Sequence, residues 1–494
     1  MDSTRPADKS SSRKRLADRL TRVARAVFFA LAVICLVVVP WFFGGMGPDG
    51  YYLTVWAGRL CLLPLALWLA ARVLRRRAPR ASFWVPVLCW SALAVVVFLS
   101  TKNPSHIAQP PWEGDGYTPV AHDERLPSTA FVGGTVTEAR LWVSIGLLAL
   151  TARVVGLSAG LLRALLWAFA GNVTLLSLAG IPFKFSGQLL VLGKWPAPEW
   201  YFYSTFLYHN HWCPFALLGL AAVAALFVSY KNTKVRLGLI VAGCIIAGSA
   251  PLSTSRMGTL AMLAFGAWIL WSWRRSARKK SARAKNGRRE IGDDGSVPIS
   301  NARSAWIALV LGLSIVAGGA FFFLKTEGGP GGQRNWDDLL VTNPFGIRAS
   351  LFEDTLSMIG DKPVFGWGLG AYGAGFRFYQ RPETRIVYNQ GRITLYEHAH
   401  DDWIERLAEL GLVGYALFLA PGIYWLRQGL WHRKLRPSAL WLFAGCVGVL
   451  LFALGDMVFV NTVVASSFAV LFALSLTPES AGPRTGETLK GNSL

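Results

Sequence analysis

The stretch His398-Ala-His400-Asp401-Asp402-Trp403-Ile-Glu405-Arg406-Leu-Ala-Glu409-Leu-Gly411-Leu-Val-Gly414-Tyr415 closes a hydrophilic segment, 325–408, and runs straight into an apolar one. Imidazoles, carboxylates and the start of an apolar helix are thereby set at one water–lipid boundary. Ionisable groups at such a boundary are costly to hold and tend to carry function. The reading of the chain turns on which side of a membrane this segment faces.

Working outward, the apolar character is general. Hydrophobic residues make up 53% of the 494 positions and there are 21 tryptophans, a composition unlike that of a soluble enzyme. A span of the ~30 Å hydrocarbon layer takes about 20 apolar residues, which predicts about twelve spans. They lie near 24–43, 53–71, 83–100, 141–157, 161–183, 213–230, 236–252, 257–273, 304–324, 409–427, 438–455 and 459–476. Backbone polar groups must be paired inside lipid, so the spans are helices. The fold class is all-α, a polytopic integral membrane protein. Cys35, Cys61, Cys89, Cys213, Cys244 and Cys446 fall in or beside spans, with spacings that suit neither zinc nor a disulfide framework. Residues 1–22 are polar and basic, with no small-residue cleavage site after the first span, so a retained signal anchor is expected.

The net charge of +22 is not evenly spread. Arg13, Lys14, Arg15, Arg19 and Arg22 precede span 1; Arg72, Arg75, Arg76, Arg77 and Arg80 follow span 2. Lys231, Lys234 and Arg236 separate spans 6 and 7, 274–289 follows span 8, and Arg427, Arg433, Lys434 and Arg436 follow span 10. With alternating spans all of these fall on one side, and loop 44–52 on the other has no Lys or Arg. This positive-inside pattern places both termini in the cytoplasm. Basic clusters at a cytoplasmic surface meet anionic lipid, so no nucleic-acid partner is expected.

The chain then divides into a basic tail (1–22), spans 1–5 with outer loops (23–200), spans 6–9 with the basic loop 274–303 (201–324), a large periplasmic loop (325–408), spans 10–12 (409–476) and a cytoplasmic tail (477–494). The outward loop 101–140 is rich in Pro and Gly and reads as irregular. The aromatic run Trp195 to Trp212 suits an interfacial belt. In the large loop, Ile347, Leu351, Phe352, Leu356 and Ile359 recur with helical spacing and predict a short amphipathic helix, stopped at Gly360-Asp361-Lys362-Pro363. The series Gly366-Trp-Gly368-Leu-Gly370 lacks the strand and helix that a nucleotide loop needs. Asp402 and Glu405 read as a capping box opening span 10. That would set His400 just ahead of a positive helix end, which favours a neutral imidazole able to take a proton. From spacing alone His400 reads equally as a base and as a structural residue.

These residues resemble the O-antigen ligase and polymerase superfamily of membrane glycosyltransferases. The match is carried by 398–414, by Arg348 with Ser357-Met-Ile-Gly-Asp-Lys-Pro363-Val-Phe-Gly366-Trp-Gly368, by Thr254-Ser255-Arg256-Met-Gly258 and, more loosely, by Tyr208-His209-Asn210-His211-Trp212. It covers about residues 200–425. Asp401 stands where the family usually has Asn, which removes any amide role for that side chain. The resemblance implies a GT-C-like fold in the bacterial cytoplasmic membrane. It implies transfer of a glycan from a polyprenyl diphosphate carrier to a lipid A–core or another glycan acceptor, as ligase or polymerase, at the outer face. It also implies metal independence, an essential His and essential arginines, with polysaccharide assembly proteins as further partners.

The residue types suit that chemistry. A base must take the acceptor hydroxyl proton, and fixed positive charge must meet the leaving diphosphate. His400 is the candidate base, and Arg256 and Arg348 the diphosphate-binding residues, since guanidinium forks onto phosphate oxygens. His398, Asp401, Asn210 and His211 are supporting residues. The bland alternative for both arginines is interfacial snorkelling. Two His-x-His pairs, 209/211 and 398/400, raise a zinc reading. An i, i+2 pair points one way only in a strand, and no cysteine joins it, so no metal and no cofactor is expected. Two readings from other classes stand beside the enzyme: a solute transporter, and a scaffold that needs no His400.

Overall fold

A computed structural model describes residues 6–109, 116–186, 189–197, 202–285, 344–387, 393–432, 435 and 437–477. The predicted span 304–324, most of the basic loop 274–303, segment 325–343 and the tail beyond 477 lie outside them, as do Pro198, Trp200 and Tyr201.

Helix α1 (Pro6–Val33) continues through a π-turn and a 3-10 turn to Trp41, where Pro40 interrupts the regular ladder. α2 (Pro48–Leu60) and α3 (Leu62–Leu74) follow almost continuously, then α4 (Ala81–Lys102), α5 (Val132–Val154), α6 (Ala159–Ser186), α7 (His209–Ser229), α8 (Thr233–Leu252) and α9 (Arg256–Lys285). After the undescribed segment come α10 (Pro344–Asp361), α11 (Tyr372–Phe376), α12 (Asp402–His432), α13 (Pro437–Phe452) and α14 (Thr462–Ser475). Seven helices are long and apolar enough to cross a membrane, and three shorter ones, 256–269, 437–452 and 462–475, are apolar as well. The chain is thus a polytopic helical membrane protein.

α7 is the central helix, with 83% of its apolar window buried. It packs on α6, α8 and α13. Small residues permit the approach, as is usual where lipid gives helices no hydrophobic reason to associate. A Cβ on Gly219 would meet Val173 at 2.6 Å, and one on Gly445 would meet Ala221 at 2.4 Å. The aromatic run before α7 departs from the interfacial expectation. Tyr203, Phe206 and Trp212 are fully buried against Phe215, and the Tyr203 hydroxyl donates to the Ser177 carbonyl at 2.7 Å. A paired hydroxyl lets a large ring enter the core.

The polar segments gather at one end of the bundle, in three short hairpins: β1 (His106–Ala108) with β2 (Tyr117–Pro119), β3 (Leu190–Val191) with β4 (Trp195–Pro196), and β5 (Ile386–Val387) with β6 (Ile393–Thr394). The loop 103–131, read as irregular, therefore contains a hairpin. It docks on the glycine series: the Ala130 N–H donates to the Trp367 carbonyl at 2.9 Å, and Lys362 Nζ donates to Ser128 Oγ at 2.9 Å. α10 covers the predicted amphipathic segment but turns differently. It buries Leu351, Asp354, Thr355 and Met358, and leaves Ile347, Phe352 and Leu356 exposed. The buried face is the one that meets α11 and α12, where Thr355 bonds Tyr372 at 2.8 Å.

The glycine series and the break in α12 explain each other. Gly411 has φ 58° and ψ −175°, a region essentially confined to glycine. A Cβ there would lie 2.5 Å from the Val364 backbone. Segment 363–368 inserts at the break and takes up the freed groups: Leu412 N–H to Pro363 O at 2.8 Å, Val413 N–H to Val364 O at 3.1 Å, Trp367 N–H to Ala408 O at 3.0 Å and Gly368 N–H to Glu409 O at 2.9 Å. Backbone displaced from a helix within a membrane protein needs such partners.

Candidate active site

The turn between α13 and α14 carries Asp456, whose side chain is fully buried. Asn210 Nδ2 donates to Oδ2 at 2.5 Å, the Tyr208 hydroxyl reaches both oxygens at 3.3 and 3.4 Å, and the Met457 N–H donates to Oδ1 at 2.9 Å. Two basic side chains complete the set. An Arg348 guanidinium nitrogen lies 3.4 Å from Oδ2, and His400 Nδ1 lies 3.7 Å from Oδ1, an ion-pair distance longer than a hydrogen bond. Burial alone would raise the Asp456 carboxyl; His400, Arg348 and the Met457 N–H outweigh it and hold the group below the usual carboxylate value. Burial and the Asp456 charge push the Tyr208 phenol up, so it remains a donor.

Each member is set by its local fold. Asn210 and His211 lie in the first turn of α7. Asn210 also accepts from Ser255 Oγ at 2.6 Å, and Ser255 in turn caps α9 through the Gly258 N–H at 3.0 Å. The Gly258 position lets α9 approach Cys213, whose Sγ would be 2.1 Å from an added Cβ. The Thr254-Ser255-Arg256-Met-Gly258 motif thus ties the start of α9 to the start of α7. Arg256 is exposed at that same end, one residue beyond the cap. His211 Nε2 contacts the Met457 carbonyl at 3.0 Å, fixing the Asp456 turn from below, while its Nδ1 is buried without a hydrogen bond.

The start of α12 is built otherwise than the expected capping box. Asp401, not Asp402, is the cap: its Oδ1 accepts from Trp403 N–H at 2.9 Å and Ile404 N–H at 3.2 Å. Asp402 is buried and accepts from Val458 N–H at 2.7 Å and Phe459 N–H at 3.0 Å, pinning the Asp456 turn to the His400 segment. Glu405 reaches back to the Ala399 N–H at 2.9 Å and to His398 Nδ1 at 3.0 Å. The sequence misleads because two adjacent aspartates share the signal, and only tertiary contact decides which one caps. His400, between these anchors, has φ 55°. A non-glycine residue in that region is held by its surroundings, and such positions cluster at functional sites.

His398 is the charged partner of the pair. Burial would lower its imidazole, but Glu405 reverses this by charge and hydrogen bond and holds it up at about 9. His400, by contrast, keeps Nδ1 toward Asp456 and the rest of its ring beside Tyr396, with centroids 5.9 Å apart. The structure therefore brings together His400, Arg348 and Asn210, with His211 and Asp401 bracing them. It sets His398 apart on Glu405, and Arg256 at the margin. The expectation from sequence omitted Asp456, which joins them. Its signal was an aspartate alone among apolar residues between the last two spans. An ionisable group in that setting is a site candidate by default.

Fold and site together define a multi-pass membrane protein with a histidine–carboxylate–arginine cluster at one end of the bundle. The family model described as O-antigen ligase matches residues 241–419, so that stretch of the chain is similar to O-antigen ligases. The matched stretch holds Arg256, Arg348, His398, His400 and Asp401 but ends before Asp456 and begins after Asn210 and His211. No curated protein and no solved structure matches the chain.

Proposed function

We propose that the chain is a glycosyltransferase that moves a glycan from a polyprenyl diphosphate carrier to a lipid A–core acceptor at the outer face of a bacterial cytoplasmic membrane. The observation that carries this reading is the contact of one buried carboxylate, Asp456, with both His400 and Arg348. With His400 Nδ1–H directed at Asp456, Nε2 faces the substrate and takes the proton of the acceptor hydroxyl. The acceptor oxygen then forms its bond to the anomeric carbon as the bond from that carbon to the carrier phosphate breaks. The electron pair leaves on the diphosphate, which Arg348, about two-fifths exposed, meets with its free guanidinium edge. Asp456 stabilises the imidazolium that forms, as the carboxylate does in other histidine–carboxylate pairs. No metal takes part in this scheme, so transfer is expected to persist under chelation.

A strain lacking the protein tests the reading through its surface glycans. Loss of glycan-capped lipid A–core, restored by wild type and not by His400→Ala at equal protein level, is the expected result. Single repeat units in place of long chains would instead make the protein a polymerase. Restoration by His400→Ala would leave a scaffold.

A further inference from the structure

A cavity of about 840 Å³ runs along the bundle between α4, α5, α12, α13 and α14, and opens at exposed Phe98, Val143 and Ile423. Its wall is almost wholly apolar. Its charged residues are Arg59, Arg140, Arg406 and Asp402, beside the hydroxyls of Ser91, Thr101, Thr135 and Tyr415. Arg406 is buried and paired with Glu409 at 2.5 Å, yet its Nε has no partner, and neither has Asp402 Oδ1. The Arg59 and Arg140 side chains form no ion pair or hydrogen bond among the described residues; the Arg59 guanidinium lies over the Trp56 ring at 5.4 Å.

The depth of these two arginines gives them meaning. Arg72, Arg153 and Arg427 mark the opposite end of the bundle, where Arg153 meets Gln428 at 3.1 Å. At 1.5 Å per residue of helix, Arg140 stands about 20 Å above Arg153. Arg406 meets Glu138 at 3.6 Å and lies over the Trp142 ring at 5.3 Å, residues just before and just after Arg140, so Arg140 shares the level of Arg406 at the outer mouth of the cleft. Guanidinium at such a mouth suits the phosphate of a lipid whose chain lies in the cleft.

We propose that this cleft is a second lipid site, which takes the alkyl chain of the acceptor and holds its phosphate at Arg59 and Arg140. The inference rests on the transferase reading above. The donor diphosphate has Arg348, on the Asp456 side of Asp402; the cleft lies on the other side of Asp402. The segment bearing His400 thus stands between the two, where a base must stand if a glycan passes from one lipid-anchored molecule to another. An uncharged wall would hold any chain; the arginine pair selects an amphiphile with a phosphate.

The test uses the full chain in maltoside micelles, with dioleoyl phosphatidic acid as probe and dioleoylglycerol as uncharged control, and measures lipid retained by native mass spectrometry. Wild type is expected to retain the phosphate lipid over the control. The Arg59→Gln/Arg140→Gln variant is expected to lose about tenfold or more, the scale of a lost charge-assisted bond in each direction of the comparison. Gly146→Phe keeps both charges and fills the cleft, since an added Cβ there already lies 3.4 Å from Trp90, and is expected to lose retention too. Equal retention by wild type and both variants overturns the cleft assignment. In transfer assays the double variant should raise the acceptor KM and leave the donor KM unchanged; a raised donor KM instead overturns the acceptor assignment. If wild type transfers nothing, the transferase reading and the acceptor role fall together, while retention still decides whether the cleft binds lipid phosphate.

Discussion

Replacing Asp456 by asparagine keeps the shape of the hub and removes its charge. At 3.7 Å from His400, a unit charge pair is worth about 4 kcal/mol at an effective dielectric of about 20. Desolvation of Asp456 offsets part of that, because its side chain is fully buried. At 1.36 kcal/mol per decade, a surviving share of about 3–4 kcal/mol corresponds to a fall of about two to three decades in kcat. The donor KM should rise as well, since Arg348 loses its anchor. The measurement is single-turnover transfer by purified protein from a carrier-linked glycan. Tyr208→Phe serves as control: it removes the long contacts of 3.3 and 3.4 Å to Asp456 and the 3.0 Å bond from Asn210, leaves the carboxylate charge in place, and should stay within about tenfold. Asp456→Asn with kcat within about threefold of wild type, while His400→Ala is inactive, would refute the argument that the carboxylate acts through His400. Because Asp456 is held below the usual carboxylate value, its stabilising contribution is present above that value and is lost only as pH falls through the lower folded one. The charge effect should thus be constant across neutral pH.

Arg348→Lys should lose at least about tenfold in kcat/KM, because an ammonium cannot fork onto two phosphate oxygens, and Arg256→Lys should be milder; equal and small losses would make both charge anchors only. His398→Gln tests the Glu405 pair by thermal unfolding. A folded value raised from 6.5 to about 9 means stability fully present below 6.5 and lost as pH rises through about 9, so the Tm gap to wild type should be widest near neutrality and close in alkali. Gly411→Ala should destabilise by at least about 1–3 kcal/mol from backbone conformation alone, read as a lowered Tm; an unchanged Tm would mean that the break in α12 relaxes freely.

The apolar helices and the site segment were legible because hydropathy and residue clustering are local signals, though of the twelve expected spans seven helices among the described residues are long and apolar enough to cross a membrane. So was the short helix at 344–361, although not its orientation: Ile347, Phe352 and Leu356 match a helical period, but the buried face was chosen by what α11 and α12 offer, including Tyr372 for Thr355. The capping box failed at Asp401 and Asp402 for a related reason, since the Val458 and Phe459 N–H groups that claim Asp402 are more than fifty residues away. Asp456 was missed because its meaning is wholly non-local. Asn210 is its closest partner at a separation of 246 residues, and nothing beside it in sequence announces that pairing. The glycine series 366–370 lacked in sequence the strand that a nucleotide loop needs, but its structural purpose needed the sight of Gly411.

The central place of α7 has a consequence for how the molecule is made. Its neighbours α6 and α8 are synthesised beside it, but α13, its most extensive partner, emerges some two hundred residues later. Until then its Ala- and Gly-rich flank faces lipid or a chaperone, and Asn210 has no carboxylate to hold. A nascent chain lacking its last two helices therefore has no assembled centre, whatever its other segments have done. Long-range closure of this kind is slow and vulnerable to misassembly. The cluster around Asp456 is likewise complete only in the finished bundle.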